Sequence, residues 1–168
     1  LYMTSHGLPN VFEMENAPLD LAQVDPKWLR ETLDAAGIRW RVIVISSCYS
    51  GSFVPALQNE NTLVITASAA DRQSFGCSSE ADYTYFGRAF FDQAMREQPS
   101  IEAAFEQTKE TVAQWESAQG FEPSEPQWSI GKNMQLMLPQ LEQRLFPPAT
   151  APQKLVSAPQ KPAAAVLN

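Results

Sequence analysis

The order of apolar runs and helical patterns predicts an α/β fold: a mostly parallel sheet with helices on both faces. Three observations carry this expectation. The run Arg41-Val-Ile-Val-Ile-Ser46 and the run Thr62-Leu-Val-Ile-Thr-Ala67 are continuously apolar at their centres, as strands covered on both faces must be. Segments with helical spacing lie before, between and after them. The first of these, at residues 26–36, has the caps of a crossover helix.

In chain order, residues 1–4 read as the end of a strand, and Gly7-Leu8-Pro9-Asn10 as a loop by its breakers. Residues 11–14 read as a short strand or hairpin arm. Helix 26–36 follows, with Asp25 as N-cap, Pro26 in the first turn, Gly37 past the last turn, and Leu29, Leu33 and Ala36 on one face. A strand at 40–46 comes next, then a short helix at 51–58 and the strand at 62–67. Residues 69–83 are a polar loop containing Cys77. Residues 85–97 are helical, with Phe86, Ala89, Phe90 and Ala94 on one side. Pro99-Ser100 breaks that helix, and residues 101–118 form a longer one. A loop at 119–126 leads to an apolar stretch at 134–145, interrupted by Pro139. From Pro147 onward, five prolines and six alanines in 22 residues mark an extended or disordered tail. Residues 1–146 are therefore expected to be one domain and 147–168 a tail.

The chain has 168 residues, enough for a core of its own, and a net charge of −7. Lys154 and Lys161 lie in the tail, so residues 1–146 hold 10 basic and 19 acidic groups, which argues against a nucleic-acid partner. Two cysteines, Cys48 and Cys77, are too few for a disulfide scaffold. One histidine and two separated cysteines make a poor metal set, and neither a glycine-rich phosphate loop nor a Gly-x-Ser-x-Gly elbow occurs. No cofactor is implied. No apolar run reaches the roughly 18 residues of a membrane helix. The chain opens on Leu1 inside a strand pattern, which suggests an upstream portion and leaves targeting unread. No Asn-x-Ser/Thr sequon occurs, and the Pro/Ala tail resembles a bacterial-style terminus; the setting these features point to is a bacterial envelope or periplasm.

The chemistry lies at two strand ends. One apolar run stops at Ser5-His6-Gly7, and another at Ser46-Ser47-Cys48-Tyr49-Ser50-Gly51-Ser52. In a parallel sheet functional groups gather at the carboxyl ends of strands, so neighbouring strands would bring His6 and Cys48 to one rim. An imidazole that takes a proton from a thiol makes a nucleophile. Attack on an amide also needs oxyanion donors, for which the N–H groups of Gly7 and Cys48 are the candidates. Each residue alone also has a packing explanation, since free cysteine is often buried.

In order and spacing these segments resemble the two catalytic segments of legumain-type cysteine peptidases. That group shares its clan with caspases, gingipains and the catalytic subunit of the GPI transamidase. The resemblance continues through Thr66-Ala67-Ser68-Ala69-Ala70-Asp71-Arg72 and Tyr83-Thr84-Tyr85-Phe86-Gly87-Arg88, and covers about residues 1–135. His6 precedes Cys48 by 42 positions, compatible with the caspase spacing of about 50. The resemblance implies a caspase-like three-layer sandwich without its first strands, with Cys48 as nucleophile, His6 as acid/base, Gly7 and Cys48 as oxyanion donors, and a peptide or protein as substrate. Three positions depart from the family pattern: Ser46 replaces an acid two positions before the nucleophile, Tyr49 replaces a glutamate after it, and Arg88 replaces an aspartate. These three are the candidate substrate-binding residues, and Arg88 points to acidic or polar residues before the scissile bond rather than asparagine; its alternative is a surface helix residue. Asp71 and Arg72 either shape the pocket rim or form a solvated turn. Glu80 and Asp82 are further substrate-contact candidates, while Cys77, Tyr83, Tyr85, Phe86 and Phe90 are expected to pack. Transpeptidation through the same dyad, and a caspase-like scaffold without catalysis, remain alternatives. The oligomeric state is not readable.

Overall fold

A computed structural model describes residues 1–14, 18, 23–76 and 82–145. Its sheet contains β1 (Tyr2–Thr4), β4 (Arg41–Ser46), β5 (Thr62–Thr66) and β6 (Gln127–Ile130) in that spatial order. The pairs β1–β4 and β4–β5 are parallel, and β6 closes the far edge antiparallel to β5. A separate hairpin joins β2 (Gly7–Leu8) to β3 (Val11–Phe12).

Alternation along the two central strands builds the three layers. Val44, Leu63 and Ile65 face one side and pack against Phe86, Phe90, Phe105, Met134 and Leu138. Ile43, Ile45 and Val64 face the other and pack against Leu29, Phe53 and Leu57. The second side is covered by α1 (Pro26–Ala35) and α2 (Val54–Leu57), the crossovers from β1 to β4 and from β4 to β5. The first is covered by α5 (Ile101–Gln119), α6 (Lys132–Leu145) and a helical run. That run comprises α3 (Tyr85–Gly87), a π-helical stretch (Arg88–Ala94) and α4 (Met95–Glu97). Helices therefore lie on both faces of a mostly parallel sheet, in agreement with the predicted α/β sandwich.

The helix punctuation reads as expected. Asp25 caps α1 by accepting from the Trp28 N–H at 2.9 Å, Pro26 stands in the first turn, and Gly37 takes the left-handed conformation beyond it (φ 70°). Ser100 caps α5, and Gly120 ends it in the left-handed region. Three departures have physical reasons. Residues 7–8, expected as loop, pair with 11–12 across a tight turn whose Asn10 has φ 61°, a conformation asparagine tolerates. Strand β6 was not expected: four half-buried residues following Pro123 and Pro126 carry too short a pattern to read. Helix α6 runs through Pro139, whose exposed side lets the helix continue despite the missing N–H. Residues 147–168, expected as a tail, lie outside the described residues.

Candidate active site

Strands β1 and β4 are parallel neighbours, with Thr4 opposite Ser46. The Ser5 N–H donates to the Ser46 carbonyl at 3.3 Å, extending the pairing by one residue. His6 and Cys48 each lie two positions beyond that last registered pair. Both segments thus leave the sheet at the carboxyl end of adjacent parallel strands, where α/β sheets collect functional groups.

The chain at His6 turns at once into the β2–β3 hairpin. The Glu13 N–H donates to the His6 carbonyl at 3.0 Å, so residues 6 and 13 form a hydrogen-bonded pair and Gly7 opposite Phe12 does not. The Gly7 N–H consequently points away from β3. Gly7 also lies hard against the cysteine segment. A Cβ there would stand 2.6 Å from the Cys48 carbonyl oxygen and 3.0 Å from Ser47 Oγ. Only glycine allows the two segments to lie this close. At the hairpin tip the Asn10 N–H donates to Ser52 Oγ at 2.8 Å, a second tie between them.

After Cys48 the chain reverses through Tyr49, held in the left-handed region at φ 57°. Its N–H donates to the Arg72 carbonyl at 2.8 Å, and its carbonyl accepts from the Ser52 N–H at 3.0 Å and from Ser52 Oγ at 2.6 Å. These bonds hold a conformation that a bulky residue adopts rarely. Below the loop, Ser68 Oγ accepts from the Ser50 N–H (3.1 Å) and donates to the Ser47 carbonyl (3.1 Å). Gly51 meets the backbone of Ala69 and Ala70 so tightly that a Cβ would come within 2.6 Å of the Ala70 nitrogen. The small residues at both strand ends are thus used to lock one loop against another.

The Cys48 sulfur is partly buried, and among the described residues its three hydrogen-bond contacts are all with Ser74. The thiol donates to the Ser74 carbonyl at 3.3 Å, accepts from the Ser74 N–H at 3.4 Å, and lies 3.9 Å from Ser74 Oγ. The His6 side chain is exposed, and among the described residues its ring makes no hydrogen bond or ion pair with another side chain. Ser46 is fully buried. Its hydroxyl lies 3.0 Å from Thr84 Oγ1, which in turn accepts from the Gly87 N–H at 2.9 Å as the N-cap of α3. Arg88 follows Gly87, is exposed, and sets its guanidinium 5.7 Å from the centre of the Trp115 ring.

The remaining candidates sort by position. Phe86 and Phe90 are core residues, and Tyr85 packs edge-on against Trp115 at 5.7 Å. Tyr83 is corrected: it is 60% exposed rather than packed, because it lies in the loop before the helix starts. Asp82 is exposed. Arg72 reaches Asp71, Glu122 and Glu125 at 3.7–4.0 Å, a half-exposed ion-pair cluster at the loop's outer surface. Cys77 and Glu80 lie outside the described residues. Among the described residues the clear titration shift belongs to Asp34, remote from this rim near the start of β4. Its hydrogen bond from buried Arg41, and then that from Arg30, hold the carboxyl below its ordinary range.

The Peptidase C13 family matches residues 1–137, the segment that contains the whole sheet and both strand ends. The chain belongs to the peptidase C13 family. No curated protein matches it. Membership of the C13 family agrees with the legumain-type resemblance, and it gives the chain a cysteine peptidase or transamidase type of function in general terms. Protein substrates follow at the same level. No helix among the described residues is long and apolar enough to cross a membrane.

Sequence reading picked out both strand ends but missed Ser74 and Thr84 as partners. Ser74 meets the thiol from 26 residues away, and Thr84 meets Ser46 from 38. No local pattern in a polar loop announces such contacts.

Proposed function

We propose that this C13 chain is a cysteine endopeptidase working through Cys48 and His6. The observation that carries the reading is the parallel β1–β4 pair, whose register delivers both residues to one rim two positions after Thr4 and Ser46. In acylation His6 takes the thiol proton and the sulfur attacks the scissile carbonyl carbon, so an S–C bond forms as the carbonyl pair moves onto oxygen. The Gly7 and Cys48 N–H groups stabilise that oxyanion. His6 then returns the proton to the departing amine, the C–N bond breaks, and a thioester remains. Water loses a proton to His6 and attacks the thioester; the acid leaves and the thiol is restored. An amine in place of water gives transpeptidation by the same steps.

Tyr49, Ser46 and Arg88 are proposed to shape the substrate site. Ser46 acts through Thr84 on the start of the helix that carries Arg88, and the exposed guanidinium is the group available to an acidic or polar side chain. Residues 1–146 are proposed as the peptidase domain, with 147–168 as its tail. A second reading, a caspase-like binding or scaffold module without catalysis, is favoured by one observation: the sulfur is bonded to Ser74 rather than to His6.

Profiling the chain on a peptide library, with Cys48→Ala as control, tests this reading. Cleavage that disappears in the control, mainly after acidic or polar residues, supports it. Strict cleavage after asparagine ends the role given to Arg88. No cleavage, with a Cys48 no more reactive than a free thiol, leaves the scaffold.

A further inference from the structure

Among the described residues, Ser74 makes every hydrogen bond of the Cys48 sulfur, from a loop 26 residues further along the chain. It is itself buried, at 8% exposure. A buried hydroxyl needs a partner, and the contact made by Ser74 Oγ is with that sulfur. The three contacts divide by chemistry. The carbonyl accepts from a neutral S–H and opposes a negative sulfur. The N–H and the hydroxyl are donors, and both favour the anion.

We infer that Ser74 is a positioning residue for Cys48, holding the resting thiol on its carbonyl and receiving the ionised sulfur with its amide and hydroxyl. The inference rests on the proposed nucleophilic role of Cys48 and deepens it. When His6 takes the proton, the bond from sulfur to the Ser74 carbonyl is lost while the two donors remain, so the anion is kept in the loop that faces the rim. Bonds of this kind strengthen when the acceptor is charged. The loop carrying Ser74 is held in turn by the Arg72 carbonyl accepting from Tyr49, so nucleophile and holder belong to one hydrogen-bonded unit.

The test is the rate of iodoacetamide alkylation against pH, read on the Cys48 peptide by mass spectrometry, for the full 168-residue chain, Ser74→Ala and Ser74→Thr. Loss of a donor to the anion raises the thiol's midpoint. Below the midpoint, Ser74→Ala is expected to react about threefold to tenfold more slowly, a rise of up to about one pH unit. Well above it the rates converge, and Ser74→Thr, which keeps the hydroxyl, stays near the parent. The same shift is expected in a His6→Ala background, because the donors act on sulfur directly. An unchanged midpoint in Ser74→Ala, or an equal shift in Ser74→Thr, overturns the inference. Since alkylation requires no peptide substrate, an absence of peptidase activity would leave this result readable.

Discussion

Gly7→Ala tests the close packing of the histidine segment against the cysteine segment. The added Cβ would lie 2.6 Å from the Cys48 carbonyl oxygen, where ordinary contact begins at 3.4 Å. The two segments must therefore separate by about 0.8 Å. They have little freedom to do so. The Val11 carbonyl stands 3.1 Å away on the hairpin side, and Asn10 is tied to Ser52. Overpacking of this kind costs about 1–3 kcal/mol. At roughly 2–4 °C per kcal/mol for a chain of this size, the melting temperature should fall by several degrees. The effect on turnover should be larger than the effect on stability. Displacement of His6 and the Gly7 N–H relative to Cys48 by nearly an ångström is expected to lower kcat/KM on the order of 10²-fold. Thermal melting and turnover of the best library peptide measure the two effects separately. A variant with parental melting and parental kcat/KM would refute the packing of the histidine segment against the cysteine segment.

Two further predictions concern the frame around the site. Glu116 is buried, and its Oε2 accepts from the Ser124 N–H at 3.0 Å, fixing the segment whose carbonyl holds the Ala69 N–H. Glu116→Ala leaves that N–H buried without its partner and should destabilise by about 1–3 kcal/mol in urea unfolding, whereas Glu116→Gln retains an acceptor and should lose less. Asp34→Asn should lower the melting temperature at neutral pH, because buried Arg41 loses its charged partner. The carboxyl's folded value is lowered, so its contribution is present above the unfolded value of 3.8 and lost as pH falls through the folded one. The gap between Asp34→Asn and the parent should close as the pH falls below 3.8 and on through the lowered folded value; a gap that persists once the carboxyl is protonated would contradict the assignment.

How much of this was legible depended on how local each signal is. The central strands declared themselves through uninterrupted Val, Ile and Leu, because both faces are covered and no polar alternation is possible. Helix α1 was readable end to end, because Asp25, Pro26 and Gly37 act within one turn of their own position. Strand β6 was not readable: its pairing with β5 depends on residues some 65 positions away, and Gln-Trp-Ser-Ile has no period of its own. In the site, the thiol and the imidazole stood out because each ends an apolar run. The partners that set their geometry, Ser74, Ser68 and Thr84, did not, since a serine in a polar loop reads the same whether or not it touches a sulfur. Tyr83 was misjudged for the converse reason, as aromatic character does not reveal exposure.

The most direct measurement is selective alkylation of Cys48 by an iodoacetamide probe at neutral pH, in the parent chain and in His6→Ala, with Cys77 as internal comparison. A histidine that shares the rim with the thiol should make Cys48 label faster than Cys77 in the parent, and that advantage should fall in His6→Ala. Equal labelling of the two cysteines in both proteins would mean that imidazole and sulfur do not communicate, and the peptidase assignment for this chain would fall.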